Sequence, residues 1–401
     1  MRRDDLCHAV RERLERLPEP FANHYGVVLP PLPEQAIVLG DALRSHQRAT
    51  DALAQVKLLA QEFHDPFVVS RLLTRREAVS SSAIEGTNST LDELLTVEET
   101  GGNDARDATI QVRDYARALE QLIPRASDEG TGIFTLDLVR SLHREAMKND
   151  RDYPDIPGEW RKTVVWIGGV RNIAYSTYNP PPPRHVEPCL EETMRYMRGE
   201  GMQVMTQSLI TRMAVAHAHF EAVHPFRDGN GRVGRLLLPL MMAAHGEIPL
   251  YLSSYIEAHK SAYYASLKAA QQKLNWSTAT AFMADAISGT VAELLVTRKA
   301  LKTLETSWAR RRKFRSGSAA ARSLGLLASY PVITAKRLGA LLKVSYPAAM
   351  TAIEQLSDAG ILQEKTGYKR NRVFVAPEVL TIINRPFGEV PLELEQRHDE
   401  R

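Results

Sequence analysis

Residues 224–235 read HPFRDGNGRVGR, a histidine, an acid, three glycines and three arginines in one short window that directly follows an apolar stretch. His224 is the side chain of this window able to remove a hydroxyl proton near neutral pH. Asp228 offers a hard oxygen of the kind a magnesium ion takes when it arrives with phosphates. Gly229 and Gly231 flank Asn230 and permit left-handed backbone angles, which turn successive N–H groups toward one point and make an anion nest. A helix beginning near Arg232 adds its positive end to the same spot. Arg232 and Arg235 are three apart, so on that helix they share a face and can clamp neighbouring phosphates. Together these residues predict transfer of part of a nucleotide to an alcohol.

Other chemistries are excluded by pattern. GxxxxGK[ST] is absent and the glycines do not follow a Rossmann spacing. A zinc site built from His217, His219 and His224 fails, because residues two apart point to different helix faces. Cys7 and Cys189 stand alone, which argues against a disulfide framework or thiolate metal site. With 401 residues, 44% hydrophobic and 25% charged, the chain reads as globular with two or three domains, and a formal net charge of +3 announces neither a nucleic-acid nor a membrane partner. The N-terminus, MRRDDLCHAVRERLERL, reads as a short amphipathic helix rather than a signal peptide. The strongly apolar run at 236–244 is far short of the ~20 residues that span a bilayer, so no membrane is expected and the cytoplasm is the default compartment.

The elements that must position this window are mainly helices. A proline-rich extended segment at 29–35 precedes helical spacing from Ile37 to about Phe63. The stretch from Val68 to Glu99 reads as a helix broken near Gly86 to Ser89, restarting after a Ser or Thr cap. Helices continue through 110–123 and 135–147, the latter capped by Thr135. Residues 161–183 place β-branched and aromatic residues around Gly168 and Gly169 and predict a hairpin that leaves through four prolines. Helices return from about 187 to 220, from Val233 to Ala244, and through 261–304. A basic, Gly/Ser-containing connector at 309–322 leads to a helix at 319–328, a helix capped by Thr334, a helix from Ser345 to Gly360 and two short strands, the order of a winged helix-turn-helix.

HPFRDGNGR resembles the active-site signature of the Fic family at every fixed position, and Arg235 matches a further arginine seen in many members. The resemblance implies a mainly α fold, a Fic-type helical core with a β-hairpin flap, followed here by a small winged helix-turn-helix domain. It implies Mg²⁺-dependent transfer of AMP from ATP to a Ser, Thr or Tyr hydroxyl of a target protein. His224 would be the base, Phe226 a buried loop anchor and Asp228 the metal ligand. Gly229, Asn230, Gly231, Arg232, Val233, Gly234 and Arg235 would hold the nucleotide, with Tyr264 of the Tyr263–Tyr264 pair against the adenosine. Glycine at 231, where related kinases carry lysine, favours AMP transfer over phosphate transfer.

SSAIEG at 81–86 resembles the family's inhibitory motif, carried by Ser81, Glu85 and Gly86. Ser81 and Glu85, four apart, share a helix face, and a carboxylate delivered to the clamp would neutralise Arg235 and block the γ-phosphate. A target protein is expected along the 163–179 flap, with self-modification and a homodimer implied by the family. Two alternatives stay open: Glu85 positions water to remove AMP, or the winged helix makes the chain a DNA-binding regulator through Lys365, Lys369, Arg370 and Arg372. The stretch Ser345–Gln355 carries no Lys or Arg, which is thin for base readout and leaves a protein contact equally open. The expected division is 1–105 N-terminal inhibitory region, 106–300 core, 301–318 linker, 319–378 winged helix and 379–401 polar tail.

Overall fold

The computed structural model describes residues 1–63, 71–102, 105–170, 172–201, 207–367 and 371–391. The N-terminal helix stops early: α1 covers only His8–Arg11, and the chain turns into an antiparallel ribbon of β1 (Leu14–Arg16) and β2 (Tyr25–Val27), Leu14 opposite Val27. Tertiary pairing overrides the helical pattern. Val27 N–H donates to the Asn179 carbonyl at 3.0 Å and Asn179 Nδ2 donates to the Tyr25 carbonyl at 2.9 Å, so the ribbon is stitched to the segment ahead of the prolines. The 29–35 segment is without regular structure as expected, with Leu29 and Leu32 buried.

α2 (Leu43–Phe63) begins later than the spacing predicts, after a 3-10 turn at Gly40–Ala42. The expected break then follows. α3 (Arg71–Ile84) ends at Gly86 with φ +84°, and α4 (Leu91–Thr100) opens with Thr90, whose hydroxyl accepts from Glu93 N–H while the Glu93 carboxylate accepts from Thr90 N–H. α5 (Asp107–Glu129) and α6 (Leu136–Met147) follow, α6 capped by Thr135. α3, α5 and the later core helices pack together, so the N-terminal region shares one continuous hydrophobic core with the rest rather than standing apart.

The hairpin expected at 163–179 is reduced to a single antiparallel bridge, Ile167 opposite Tyr178. Gly168 and Gly169 both adopt φ +72°, turning the chain out of extended geometry, and a 3-10 turn at Ile173–Tyr175 takes up the tip. The flap is thus a loop pinned at its base.

The core is built from α7 (Val186–Arg198), α8 (Leu209–Val223) and α9 (Asn230–Ala244). α8 is buried from Ile210 through Val223, which is why its sequence is apolar on all sides rather than striped. Around it lie α10 (Ser253–Ala258), α11 (Lys260–Lys273) and the long α12 (Trp276–Arg311). α12 is long and apolar enough by composition to cross a bilayer, the one such helix among the described residues, and here it packs against α2, α8 and α11.

α12 also corrects the expected linker: it continues to Arg311, leaving 312–318 as the connector. Its last turns are held by tertiary contacts, with Trp308 buried and donating from Nε1 to Glu378 at 2.7 Å, and Arg311 pairing with the same carboxylate. The C-terminal module has α13 (Ala319–Leu327), β3 (Val332–Thr334), α14 (Ala335–Leu342), α15 (Tyr346–Asp358), β4 (Gln363–Glu364) and β5 (Val373–Val375). The strands form an antiparallel sheet in the order β3-β5-β4, and Thr334 and Ser345 cap their helices as their sequence positions predict. The expected polar tail instead begins with α16 (Pro377–Asn384), where Val379, Ile382 and Ile383 are buried; residues 392–401 lie outside the described residues.

Candidate active site

The window 224–229 is the connection between the two buried helices α8 and α9, so both of its ends are fixed by core packing. His224 closes α8 with left-handed angles, φ 49° and ψ 61°, and Pro225 prevents continuation. Arg161, a buried residue the sequence reading did not single out, ties this corner down. Its Nε donates to the His224 carbonyl at 2.7 Å and Nη2 to the Pro181 and Val223 carbonyls. Phe226 is fully buried and stacked on His143, ring centroids 3.6 Å apart. Asn230 staples the loop, its Oδ1 accepting from Phe226 N–H at 2.8 Å and its Nδ2 donating to the Phe226 carbonyl at 2.9 Å. His143 accepts from Gly158 N–H at Nδ1, which leaves Nε2 to donate to the Asp228 carbonyl at 3.0 Å.

The nest is narrower than the glycine pattern predicts. Gly229 alone takes a left-handed φ, +78°, at the N-cap of α9, while Gly231 and Gly234 are helical and matter for what they lack. A Cβ on Gly231 would collide with the Glu85 carboxylate and lie 2.7 Å from Arg235 Nη1; one on Gly234 would lie 2.5 Å from Glu221 Oε1. Val233 is core, and its N–H is spent on the Gly229 carbonyl.

A cavity of about 510 Å³ brings together Glu85, His224, Gly231, Arg235 and Tyr264 with Glu221, Tyr263, Lys268 and the flap residues Ile167, Gly168 and Thr177. Tyr264 is half exposed here, whereas Tyr263 is buried and hydrogen-bonded to His217 Nε2 at 2.8 Å. His217 and His219 are both core residues, and no metal-binding cluster of His, Cys, Asp and Glu is found among the described residues. Asp228 lies exposed at the mouth of α9 with Oδ1 accepting from Gly229 N–H at 2.6 Å. The two arginines diverge. Arg235 is buried and reaches the C-terminal end of α3, donating from Nε to Ser81 Oγ at 2.9 Å and from Nη2 to the Ser81 carbonyl at 3.0 Å and to Glu85 Oε1, just past the helix, at 2.6 Å. Arg232 instead leans toward Gln111 and Asp150, with its Nε buried and unpartnered.

The electrostatics suit base chemistry. Burial, reinforced by Arg161, lowers His224 to about 4, so its imidazole is neutral at pH 7. Nδ1 lies 3.3 Å from the Glu221 carbonyl, which can only accept, so the proton sits there and Nε2 keeps its lone pair. Burial pushes the Glu85 carboxyl up, but Arg235 outweighs burial and holds it below the ordinary range, ionised. Glu221, also missed from sequence, is buried and raised to about 7 by desolvation. Its signal was legible as the one carboxylate in the otherwise uncharged stretch 213–223.

Residues 43–123 match the family model described as Fic/DOC family N-terminal, and residues 133–242 match Fic/DOC family. A probable protein adenylyltransferase of Aquifex aeolicus is 27% identical over 236 residues, covering 56% of this chain and 66% of that protein. A protein adenylyltransferase of Caenorhabditis elegans is 31% identical over 195 residues, covering 47% of this chain and 35% of that one. A Fic family protein from Desulfovibrio desulfuricans shares the fold with a TM-score of 0.52 at 18% identity, covering 87% of this chain and 98% of that one. The Fic/DOC match contains the whole signature loop seated between its two central helices, and the N-terminal match contains Ser81 and Glu85, so the chain carries the Fic/DOC family domain together with its N-terminal companion.

Proposed function

We propose that the protein is an autoinhibited adenylyltransferase that moves AMP from ATP to a hydroxyl of a protein, itself included. The observation that carries this reading is the Glu85–Arg235 pair beside a neutral His224 in one cavity. The names of the relatives support AMP transfer. In the released state the polyphosphate takes the place of the Glu85 carboxylate on Arg235, in the space over Gly231 where a side chain would intrude. His224 Nε2 accepts the proton of the target hydroxyl, whose oxygen forms the new bond to the α-phosphorus as the bond to the departing pyrophosphate breaks. The target segment lies along the Ile167–Tyr178 edge, where extended backbone can be added beside it.

The donor set fits magnesium: Asp228 gives one exposed hard carboxylate next to the phosphate position, and magnesium takes one or two carboxylates with substrate oxygens. Such an ion would supply charge neutralisation on the phosphates.

The decisive experiment incubates Glu85→Gly protein with ATP labelled at the α- or the γ-phosphate. Covalent label from α alone, lost on adding His224→Ala, is expected; label from γ overturns AMP transfer. A second reading, removal of AMP, is favoured by one feature: Glu85 keeps its carboxylate in the cavity with His224, where it can orient a water. Unmutated protein releasing AMP from pre-modified substrate would establish it. Of the wing residues named for a DNA contact, Lys365 pairs with Asp92 and Arg372 with Glu364, while Lys369 and Arg370 lie outside the described residues.

A further inference from the structure

Arg235 faces two carboxyls, not one. Glu85 lies over Gly231 on one side of α9, and Glu221 lies over Gly234, one helical turn along. Only Glu85 is bonded to the guanidinium. Glu221 is buried, lines the same cavity, and its Oε1 has no hydrogen-bond partner among the described residues. A buried carboxyl without partners is costly to keep unless another state uses it. The braked arrangement explains why it stands idle: a second carboxylate beside one guanidinium would repel the first.

We propose that Glu221 is a positioning residue that pairs with the Arg235 guanidinium when Glu85 withdraws, and hands it to an incoming polyphosphate by taking up one proton. The inference rests on the nucleotide-transfer reading of the cavity. The groups facing Glu221 are Arg235 from α9, Glu85 after α3, Tyr263, Tyr264 and Lys268 from α11, and His217 and His224 on or next to its own helix. Of these, Arg235 draws its proton off and Glu85 holds it on. Withdrawal of Glu85 therefore favours the ionised form, which keeps the buried Arg235 from being left unpaired. When phosphate oxygens reach Arg235, their negative charge does what Glu85 did, and a proton from solvent returns to Glu221. No bond other than this O–H is made or broken. The fixed cation thus stays aimed at the phosphate position through the exchange, and Gly234 is needed because a Cβ there would collide with the carboxyl.

The test is calorimetry of the Glu85→Gly protein with magnesium and an α,β-methylene analogue of ATP at pH 6, below the value of about 7 that Glu221 has beside a negative charge on Arg235, in buffers of low and high ionisation enthalpy. Binding is expected to take up most of one proton, and affinity to weaken by up to tenfold per pH unit as pH rises toward about 7 and to level off above it. In Glu85→Gly/Glu221→Gln the uptake and the pH dependence should both vanish, with melting curves confirming the fold; Glu85→Gly/Glu221→Ala supplies a second removal of the carboxyl. Binding without proton uptake, or uptake that survives both substitutions and so belongs to His224, overturns the proposal. Failure of the Glu85→Gly protein to bind the analogue at all overturns the nucleotide reading itself, and this inference with it.

Discussion

At the residue scale the site is a competition for one cation. Arg235 is buried, and burial alone would depress its charge; Glu85 is the strongest of the groups that keep it protonated. Ser81 matters as a rigid acceptor that aims the guanidinium, through both its hydroxyl and its carbonyl. Ser81→Ala removes one hydrogen bond to a charged group and is expected to cost about 1.5–3 kcal/mol in urea unfolding, with self-modification raised above the parent but below Glu85→Gly. His224 sets the acid limit. Its lowered pKa means the base form persists above about 4 and is lost only as pH falls through that value. At saturating nucleotide the single-turnover rate of the Glu85→Gly protein should therefore be flat from pH 8 to about 5; a fall centred near the ordinary histidine value of 6.5 would contradict this assignment.

At the element scale the loop is precise because two buried helices hold its ends and three buried side chains hold its middle. Phe226 against His143 and Asn230 across the turn do this by packing and by hydrogen bonding respectively. Phe226→Ala should cost about 3–5 kcal/mol and Asn230→Ala about 1–3 kcal/mol, read from urea denaturation. The segment that carries Glu85 is held differently. α3 ends at Gly86 and a capping box starts α4, so Glu85 sits in a short break between helices where small backbone changes can withdraw it. The flap is looser still, one bridge closed by Ile167 and Tyr178.

At the scale of the whole molecule the C-terminal module is a clasp rather than a trailing domain. It meets α4 through Thr334 and Arg337 on Glu99 and through Lys365 on Asp92 and Thr96, and it meets α3 through Tyr330 under the Arg71 guanidinium. Arg76 on α3 reaches Glu293 on α12 and the Arg385 carbonyl beyond α16, so the helix that carries Ser81 is braced from behind by the C-terminal segment. Glu99→Lys places like charge against Arg337 and is expected to speed proteolytic cleavage within 312–318, leaving nucleotide binding in the Glu85→Gly background unchanged.

The sequence by itself determined the candidate site loop and most of the helices. Types and spacing in 224–235 mark a loop able to hold a base, a hard acid and a phosphate clamp, Ser81 and Glu85 share a helix-face spacing, and caps at Thr90, Thr135, Thr334 and Ser345 mark helix starts, because each depends on residues within a few positions of one another. Only the tertiary structure decided which groups meet across the chain. Arg161 and His143 join the site from residues whose local patterns say nothing of it, Glu221 enters the cavity from a buried helix face, Arg232 turns away from its expected partner, β1 and β2 replace helix by pairing near the prolines, and α12 runs on through basic residues because Glu378 awaits them. Local signals fix what a segment can do. Burial and long-range hydrogen bonding fix which of those possibilities is realised, since an orphaned buried polar group costs more than a local propensity supplies.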